Sequence, residues 1–205
     1  GEIIEGAFTP QLTEAGRKHP VTRNLPQSGG ETPSWGRWFR LVGTSSAAGD
    51  LIMSGDDGKP LLVLSHAGEG RVAQMLSDQG WLWSRGFEGG GPQSELMRRI
   101  AHWLMEEPDL EEEALSASQQ GSQLIIERQT MAEKADPVTV TLPSGETKTV
   151  ELAETSPGMW TGRIDITEPG LHRLADGRLD AVAAAGSADA REMNDITATP
   201  QILTP

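Results

Sequence analysis

The sequence predicts an α+β protein in two parts: a partial α/β domain with a mixed sheet and a C-terminal helix, then a small antiparallel β-sandwich. Three observations predict this fold class. Residues 61–105 have the pattern strand, turn, strand, Trp/Gly-rich loop and amphipathic helix. Five of the six tryptophans and all three phenylalanines precede residue 110. Beyond it, short runs rich in Thr, Val and Ile alternate with Pro/Gly turns, as in antiparallel β proteins.

In the first part, prolines and glycines keep residues 1–40 rich in loops, with one helical turn predicted at 13–18. Four strands follow, with turns at 56–58 and 68–70; they are predicted at 38–43, 50–55, 61–66 and 71–76. The run 61–66 is almost wholly apolar, as in a strand buried on both faces. A helix is predicted over 92–106, because Pro92 suits a first turn and Leu96, Ile100 and Trp103 share one face. Glu95 and Arg99 are four residues apart and are expected to pair on its surface.

In the second part, six strands are predicted, at 123–129, 138–142, 147–152, 159–164, 170–175 and 179–184. Residues 143–146 and the pair Asp176-Gly177 have the composition of hairpin turns. This spacing is typical of an immunoglobulin-like sandwich, here without a disulfide. The acids of 106–113 are interpreted as a solvated helix end, followed by a linker at 116–122. The predicted domains are therefore 1–115 and 122–188, with an extended tail at 189–205.

Composition excludes several classes of function. The net charge of −13 argues against nucleic-acid binding, which needs clustered Lys and Arg. The absence of cysteine excludes disulfides, thiolate metal sites and a cysteine nucleophile. The four histidines are far apart in sequence without metal-ligand spacing, so neither a metal nor a cofactor is expected. His19 is expected to form hydrogen bonds within a loop.

The best site candidate is the loop 77–91, because it follows a strand and precedes a helix, where open α/β sheets bind ligands. Its glycines could present backbone N–H groups to an anion, although core packing of the tryptophans is the more ordinary interpretation. The expected ligand-binding residues are Ser77, Asp78, Trp81, Trp83, Arg85, Glu88, Gly89 and Gly90. A Ser/His/Asp arrangement from Ser65-His66 and Ser77-Asp78 is disfavoured, since no nucleophile elbow precedes it. No catalytic residue is assigned.

Four segments carry a resemblance to a known family: Thr13 to Thr22 with its His-Pro-Val-Thr element, 35–40, 60–78 with its Gly-x-Gly-Arg-Val hairpin, and 81–104 with Trp-x-Trp. Over about residues 6–108 the chain resembles the glutamine-amidotransferase-like domain of large bacterial membrane proteins. The resemblance implies an α/β domain, followed by an immunoglobulin-like module. It also implies a glutaminase with a Cys nucleophile and a His–Glu pair. This chain has no Cys, and Ser77-Asp78-Gln79 stands where the His-x-Glu element is expected.

The sequence is therefore interpreted as a non-catalytic binding or scaffolding module of a larger, membrane-anchored envelope protein, with a degenerate amidotransferase-like domain. The resemblance implies membrane anchoring through segments outside this chain, and the soluble region is expected to face the periplasm. An unknown protein or a small ligand is the expected partner, and self-association through a strand edge is the third option. The alternative is a catalytic or ligand-binding domain that uses the 77–91 loop.

Overall fold

The computed structural model describes residues 2–30, 32–44 and 48–186, and within them the protein is mostly β. Strands make up 44% and helices 17%, and the four sheets are antiparallel. The prediction of an α+β fold with a mixed sheet is therefore wrong. Its source was the strand, turn, strand, loop and helix pattern of residues 61–105, which was taken as the closing unit of an α/β domain. Here Leu61, Leu62, Val63 and Leu64 are all buried, so both faces of an antiparallel strand are covered.

The chain divides into two compact units. The first comprises residues 1–114 together with 129–134 and 154–160, and the second comprises 115–128, 135–153 and 161 onward. The predicted tail at 189–205 lies outside the described residues.

The first unit holds one four-stranded sheet, in the order β2-β4-β5-β6, and a separate pair formed by β1 and β3. Its elements are β1 (Glu2–Phe8), β2 (Gln11–Leu12), α1 (Glu14–Lys18), β3 (Trp38–Gly43), β4 (Asp50–Ser54), β5 (Pro60–Ala67), β6 (Gly70–Met75), α2 (Trp81–Ser84) and α3 (Gln93–Leu104). The predicted helical turn, the four predicted strands and the long helix are all present. Strands β1 and β2 were missed, and α2 lies inside the segment predicted as loop.

Local chemistry explains where the helices of this unit begin. Thr13 is the N-cap of α1, where its side chain accepts a hydrogen bond from the backbone N–H of Gly16. Helix α3 begins after Pro92 and buries Leu96, Ile100 and Trp103, as its periodicity predicts. The predicted pair of α3 forms, with Arg99 Nε 2.6 Å from Glu95 Oε1.

The core of the first unit is rich in tryptophan. The Trp83 ring lies between those of Trp35 and Trp38, with centroid distances of 5.2 and 4.7 Å. All three rings are buried with Trp103 in one cluster, which also takes in Leu61, Leu62 and Leu64 of β5. Large, rigid rings therefore make up much of the core that packs around β5.

The second unit holds two four-stranded sheets, in the orders β10-β9-β13-β14 and β11-β12-β8-β7. The strands are β7 (Ala114–Gln120), β8 (Gln123–Gln129), β9 (Val138–Thr141), β10 (Thr147–Val150), β11 (Ala153–Ser156), β12 (Met159–Asp165), β13 (Gly170–Ala175) and β14 (Asp180–Ala185). The ends of some strands group with the first unit. All six predicted strands are present, and the segment predicted as a linker at 116–122 is mostly β7. Leu124 and Ile126 of one sheet share a core with Val138, Val140 and Leu174 of the other.

Candidate functional site

The loop predicted as the ligand site, residues 77–91, is bound closely to the segment 36–40. Ser77 Oγ donates to the carbonyl of Arg40 at 2.7 Å, and Gln79 accepts from the N–H of Phe39. Trp83 Nε1 donates to the carbonyl of Gly36 at 2.7 Å, and the N–H of Gly36 donates to the carbonyl of Gly90, also at 2.7 Å. Ser77 and Trp83, two of the predicted site residues, thus use their side-chain donors in hydrogen bonds that hold the loop against the segment 36–40.

Two ion pairs also join the segment 36–40 to the loop 77–91. The Arg37 guanidinium donates to both oxygens of Glu88, with Nε 2.8 Å from Oε2. This hydrogen bond lowers the pKa of Glu88 to about 2. Arg40 Nη1 lies 3.3 Å from Asp78 Oδ2 in a more exposed pair. Asp78 and Glu88 are therefore paired with cations of the protein itself.

The glycines of the loop form a turn rather than an anion cradle. The N–H of Gly89 donates to the carbonyl of Gly86, and the N–H of Gly90 donates to the carbonyl of Phe87. Gly89 and Gly90 both have positive φ, +93° and +74°, which few other residues adopt. The N–H groups of Gly89 and Gly90 therefore already donate to carbonyls within the turn.

What the loop leaves exposed is mainly aromatic. The Trp81 side chain is 55% exposed and Phe87 39% exposed, with Arg85 exposed between them in the sequence. The Phe87 ring meets Phe39 edge-on at 5.7 Å, and the Arg37 guanidinium lies 5.9 Å from the Phe39 centroid. Tryptophan is one of the residue types enriched in protein–protein contact surfaces.

A shallow cleft of about 400 Å³ lies beside this loop. Trp83, Ser94, Glu95 and the glycines of 89–91 are among the residues that line it. Asp78, Arg85 and Glu88, the polar groups expected to converge on a ligand, are not among them. The structure thus separates the cleft from the charged residues of the predicted site.

A second polar site, missed by sequence reasoning, is centred on Glu112; it consists of His19, His66, Trp103 and Glu112 and is called the Glu112 cluster below. Glu112 Oε1 lies 3.1 Å from His19 Nε2 and 3.2 Å from Trp103 Nε1, and both Glu112 oxygens lie 3.2 Å from His66 Nε2. The Trp103 ring stands edge-on to both imidazoles at 5.8 Å. His19 is fully buried, whereas the His66 side chain is about half exposed.

The hydrogen bonds define the state of the cluster. His19 Nδ1 accepts from the N–H of Val21, so its Nε2 carries a proton and donates to Glu112. The hydrogen bond from His19, and more weakly that from His66, lower the pKa of Glu112 to about 2 against the opposing effect of burial. A protonated Nε2 cannot ligate a metal. In the described ranges no three His, Cys, Asp or Glu side chains are grouped as a metal ion requires.

The acids on either side of Glu112, Glu111 and Glu113, also form hydrogen bonds with other residues of the first unit. Arg71 Nη2 donates to both oxygens of Glu111 at 2.7 and 2.8 Å, and its Nη1 donates to the carbonyl of Trp103. Glu113 accepts from Thr130 Oγ1 at 2.8 Å. The interpretation of this run as a solvated helix end is wrong for Glu111 and Glu112, which lie beyond the end of α3 at Leu104 and are partly buried. Together these three acids accept hydrogen bonds from five side chains, which are those of Arg71, His19, His66, Trp103 and Thr130.

The Ser/His/Asp arrangement that the sequence disfavoured is not assembled. His66 faces Glu112, whereas Ser77 donates to a backbone carbonyl and Asp78 pairs with Arg40.

Comparison of the chain with protein-family models, with curated proteins and with solved structures finds no match. Among the helices in the described part of the chain, none has the length and apolar character needed to cross a bilayer.

Proposed function

We propose that this chain is a non-catalytic binding module of a larger, membrane-anchored bacterial envelope protein. The proposal rests on the hydrogen bonds and ion pairs that hold the 77–91 loop against the segment 36–40. The loop's polar side chains Ser77, Asp78 and Glu88 are engaged by the segment 36–40, while Trp81 remains exposed. A loop built in this way offers a rigid aromatic surface to a partner, and rigidity lowers the entropic cost of binding.

The envelope setting rests on the sequence resemblance to the amidotransferase-like domain of bacterial membrane proteins. The loss of the family's reaction is supported by composition, because a chain without cysteine has no thiolate to attack a glutamine amide. The partner is expected to be a protein, since Trp and Arg are the side chains that dominate protein–protein contacts. Trp81 and Arg85 supply both types on the same loop.

Site-specific photo-crosslinking in the parent protein tests the binding surface. A photoreactive residue at position 81 is expected to give one dominant crosslinked partner in intact cells. The same residue at position 107, which is exposed on the acidic run, is the matched control and is expected to give none. Equal crosslinking at the two positions, or none at position 81, would contradict the proposal.

The half-exposed imidazole of His66 favours a second candidate, a general-base site for hydrolysis. A histidine oriented by a carboxylate is the usual base that activates water or a hydroxyl. Purified protein incubated with glutamine and with a chromogenic ester separates the two candidates. Turnover that disappears in His66→Ala and Glu112→Gln but persists in Ser77→Ala would favour the catalytic site and refute the non-catalytic one.

A further inference from the structure

The dipeptide Asp-Gly occurs twice in this chain, as Asp57-Gly58 and as Asp176-Gly177. Each pair lies in the turn of a hairpin, the first between β4 and β5 and the second between β13 and β14. An aspartate before glycine is chemically labile, because glycine has no side chain to hinder the approach of its backbone nitrogen to the preceding carboxyl carbon. The two pairs share this local sequence, so a difference in their reactivity has to come from the fold.

The Asp57 carboxyl makes few contacts. Its side chain is 82% exposed, and in the described part of the chain its only ion pair is a long one, 3.9 Å from Oδ2 to Lys59 Nζ. Asp56 and Gly58 are exposed as well, and a Cβ placed on Gly58 would meet no atom within 4 Å. Asp57 has a φ of +52°, a sparsely populated conformation for a residue with a Cβ. The tip of this hairpin can therefore rearrange locally without breaking the core.

The Asp176 carboxyl is buried and engaged at both oxygens. Its side chain is 1% exposed, and Oδ2 lies 2.6 Å from Nε of Arg128, which is also buried. Oδ1 accepts from the backbone N–H groups of Arg178 and Leu179 at 2.9 and 2.7 Å. Burial raises the pKa of Asp176, but these hydrogen bonds together lower it, so the carboxylate stays ionised. An ionised carboxylate is a poor electrophile, and one held by three donors cannot turn toward the Gly177 nitrogen.

We infer that Asp57 is a site of spontaneous isoaspartate formation and that Asp176 is protected from the same reaction. The backbone nitrogen of Gly58 attacks the protonated carboxyl of Asp57; a C–N bond forms, a C–O bond breaks, and the hydroxyl leaves with the amide proton as water. Water then opens the succinimide. Opening at the side-chain carbonyl restores aspartate, whereas opening at the main-chain carbonyl leaves isoaspartate. The reaction needs no other reagent, and the inference is independent of the proposed function.

Isoaspartate lengthens the main chain by one atom, in a turn that is closed by hydrogen bonds. The N–H of Gly55 donates to the carbonyl of Lys59 at 2.8 Å, and the N–H of Lys59 donates to the carbonyl of Asp56 at 3.0 Å. Both hydrogen bonds span the modified peptide. The strands that the turn joins bury residues 52–53 and 61–64 in the core. The modification is therefore expected to weaken the β4–β5 hairpin and with it the first unit.

Ageing of the full chain in mildly acidic buffer tests the inference. Electron-transfer mass spectrometry of peptides distinguishes isoaspartate from aspartate and quantifies it at each site. In native buffer at least about tenfold more isoaspartate is expected at position 57 than at position 176, because Asp176 reacts only after its buried pair opens. In urea the fold no longer distinguishes the sites, and similar rates are expected. Similar rates in native buffer, or isoaspartate at position 57 only in urea, would overturn the inference.

Two variants test the causes. Arg128→Gln removes the buried partner of Asp176 and is expected to raise isoaspartate at position 176 at least about threefold, with position 57 of the same sample as the reference. An unchanged level in the folded variant would contradict the protection given to Asp176; if the variant does not fold, the comparison in urea still decides. Asp57→Glu keeps the charge, but its six-membered imide closes far more slowly. After ageing, tryptophan fluorescence in urea is expected to show a less stable fraction of the wild type and none of Asp57→Glu. An unchanged midpoint for wild type that carries isoaspartate at position 57 would overturn the weakening of the hairpin.

Discussion

His19 Nε2 lies 3.1 Å from Oε1 of Glu112, although the two residues are 93 positions apart in the chain. His66 and Trp103 donate to the same carboxylate. One acid thus ties together the end of α1, the end of β5 and the end of α3. Since each donor belongs to a different element, the carboxylate acts as a cross-link of the first unit.

Replacing this carboxylate should destabilise the first unit. Glu112→Gln keeps the size of the side chain but leaves one of the N–H groups opposed by an amide NH₂, at a cost of about 1–3 kcal/mol. Tryptophan fluorescence during urea unfolding is the appropriate measurement, because all six tryptophans belong to the first unit. Glu107→Gln, on an exposed acid of the same run, is expected to leave the midpoint unchanged. Equal midpoints for the two variants would contradict the cross-link.

The same carboxylate predicts a dependence on pH. The pKa of Glu112 is lowered in the folded protein to about 2, from an ordinary value of 4.5. A lowered pKa gives stability that is fully present above about pH 4.5 and is lost as the pH falls toward 2. Acidification across this window is therefore expected to destabilise the wild type more than Glu112→Gln. Glu88 and Glu95 also have pKa values lowered to about 2, so the difference between the two proteins, not the slope of either, is the test.

The sequence predicts local elements of this protein better than its sheet type or its polar site. The helical turn at 13–18, the helical face of Trp103 and the hairpin turn at 143–146 are local signals, set by residues a few positions apart. The Glu112 cluster has no such signal, because its members come from three distant segments. Strand β7 was missed because Ala, Ser and Gln have weak β propensity, so cross-strand pairing rather than composition forms it.

The fold class was predicted wrongly because the strand, turn, strand, loop and helix pattern of 61–105 was taken as the closing unit of an α/β domain. An apolar run such as Leu61 to Leu64 shows that both faces of a strand are covered, and nothing more. Parallel strands usually meet that condition through flanking helices. In this protein the same burial is reached in an antiparallel sheet. The site prediction depended on the same step, since an antiparallel sheet has no common carboxyl edge at which ligands collect.

Arg71 is expected to be more important for stability than an ordinary surface arginine. Its side chain is only 8% exposed, donates to Glu111 and to the Trp103 carbonyl, and lies 5.2 Å from the Trp103 ring. Arg71→Lys retains the charge but loses the paired geometry, and should lower the free energy of unfolding by about 1–3 kcal/mol. Arg98→Lys, in an exposed pair with Glu95, is expected to change it by less than about 0.5 kcal/mol. Similar losses in both variants would contradict this ranking.

The buried imidazole of His172 is expected to make the second unit less stable than an apolar side chain at the same position would. The imidazole is 1% exposed, and among the described residues neither ring nitrogen has a hydrogen-bond partner. It is flanked in its sheet by Ala183, a core residue. His172→Leu removes two unsatisfied polar atoms and is expected to raise the free energy of unfolding by about 1 kcal/mol or more. Circular dichroism of the β signal during urea unfolding reports the gain, and His172→Gln, which keeps a buried polar group, should give none.

Two neighbouring glycines of the loop 77–91 should respond differently to alanine. A Cβ at Gly91 would overlap the ring of Trp83, which is buried between two other tryptophans and cannot move aside. A Cβ at Gly89 meets no atom and is opposed only by the positive φ, a cost of about 1 kcal/mol. Gly91→Ala is therefore expected to lower stability by more than about 2 kcal/mol and to alter the near-ultraviolet spectrum of the tryptophans. Gly89→Ala should leave that spectrum unchanged. If both variants behave alike, the Trp83 ring is not held as the structure shows, and the loop is not the rigid surface on which the binding proposal depends.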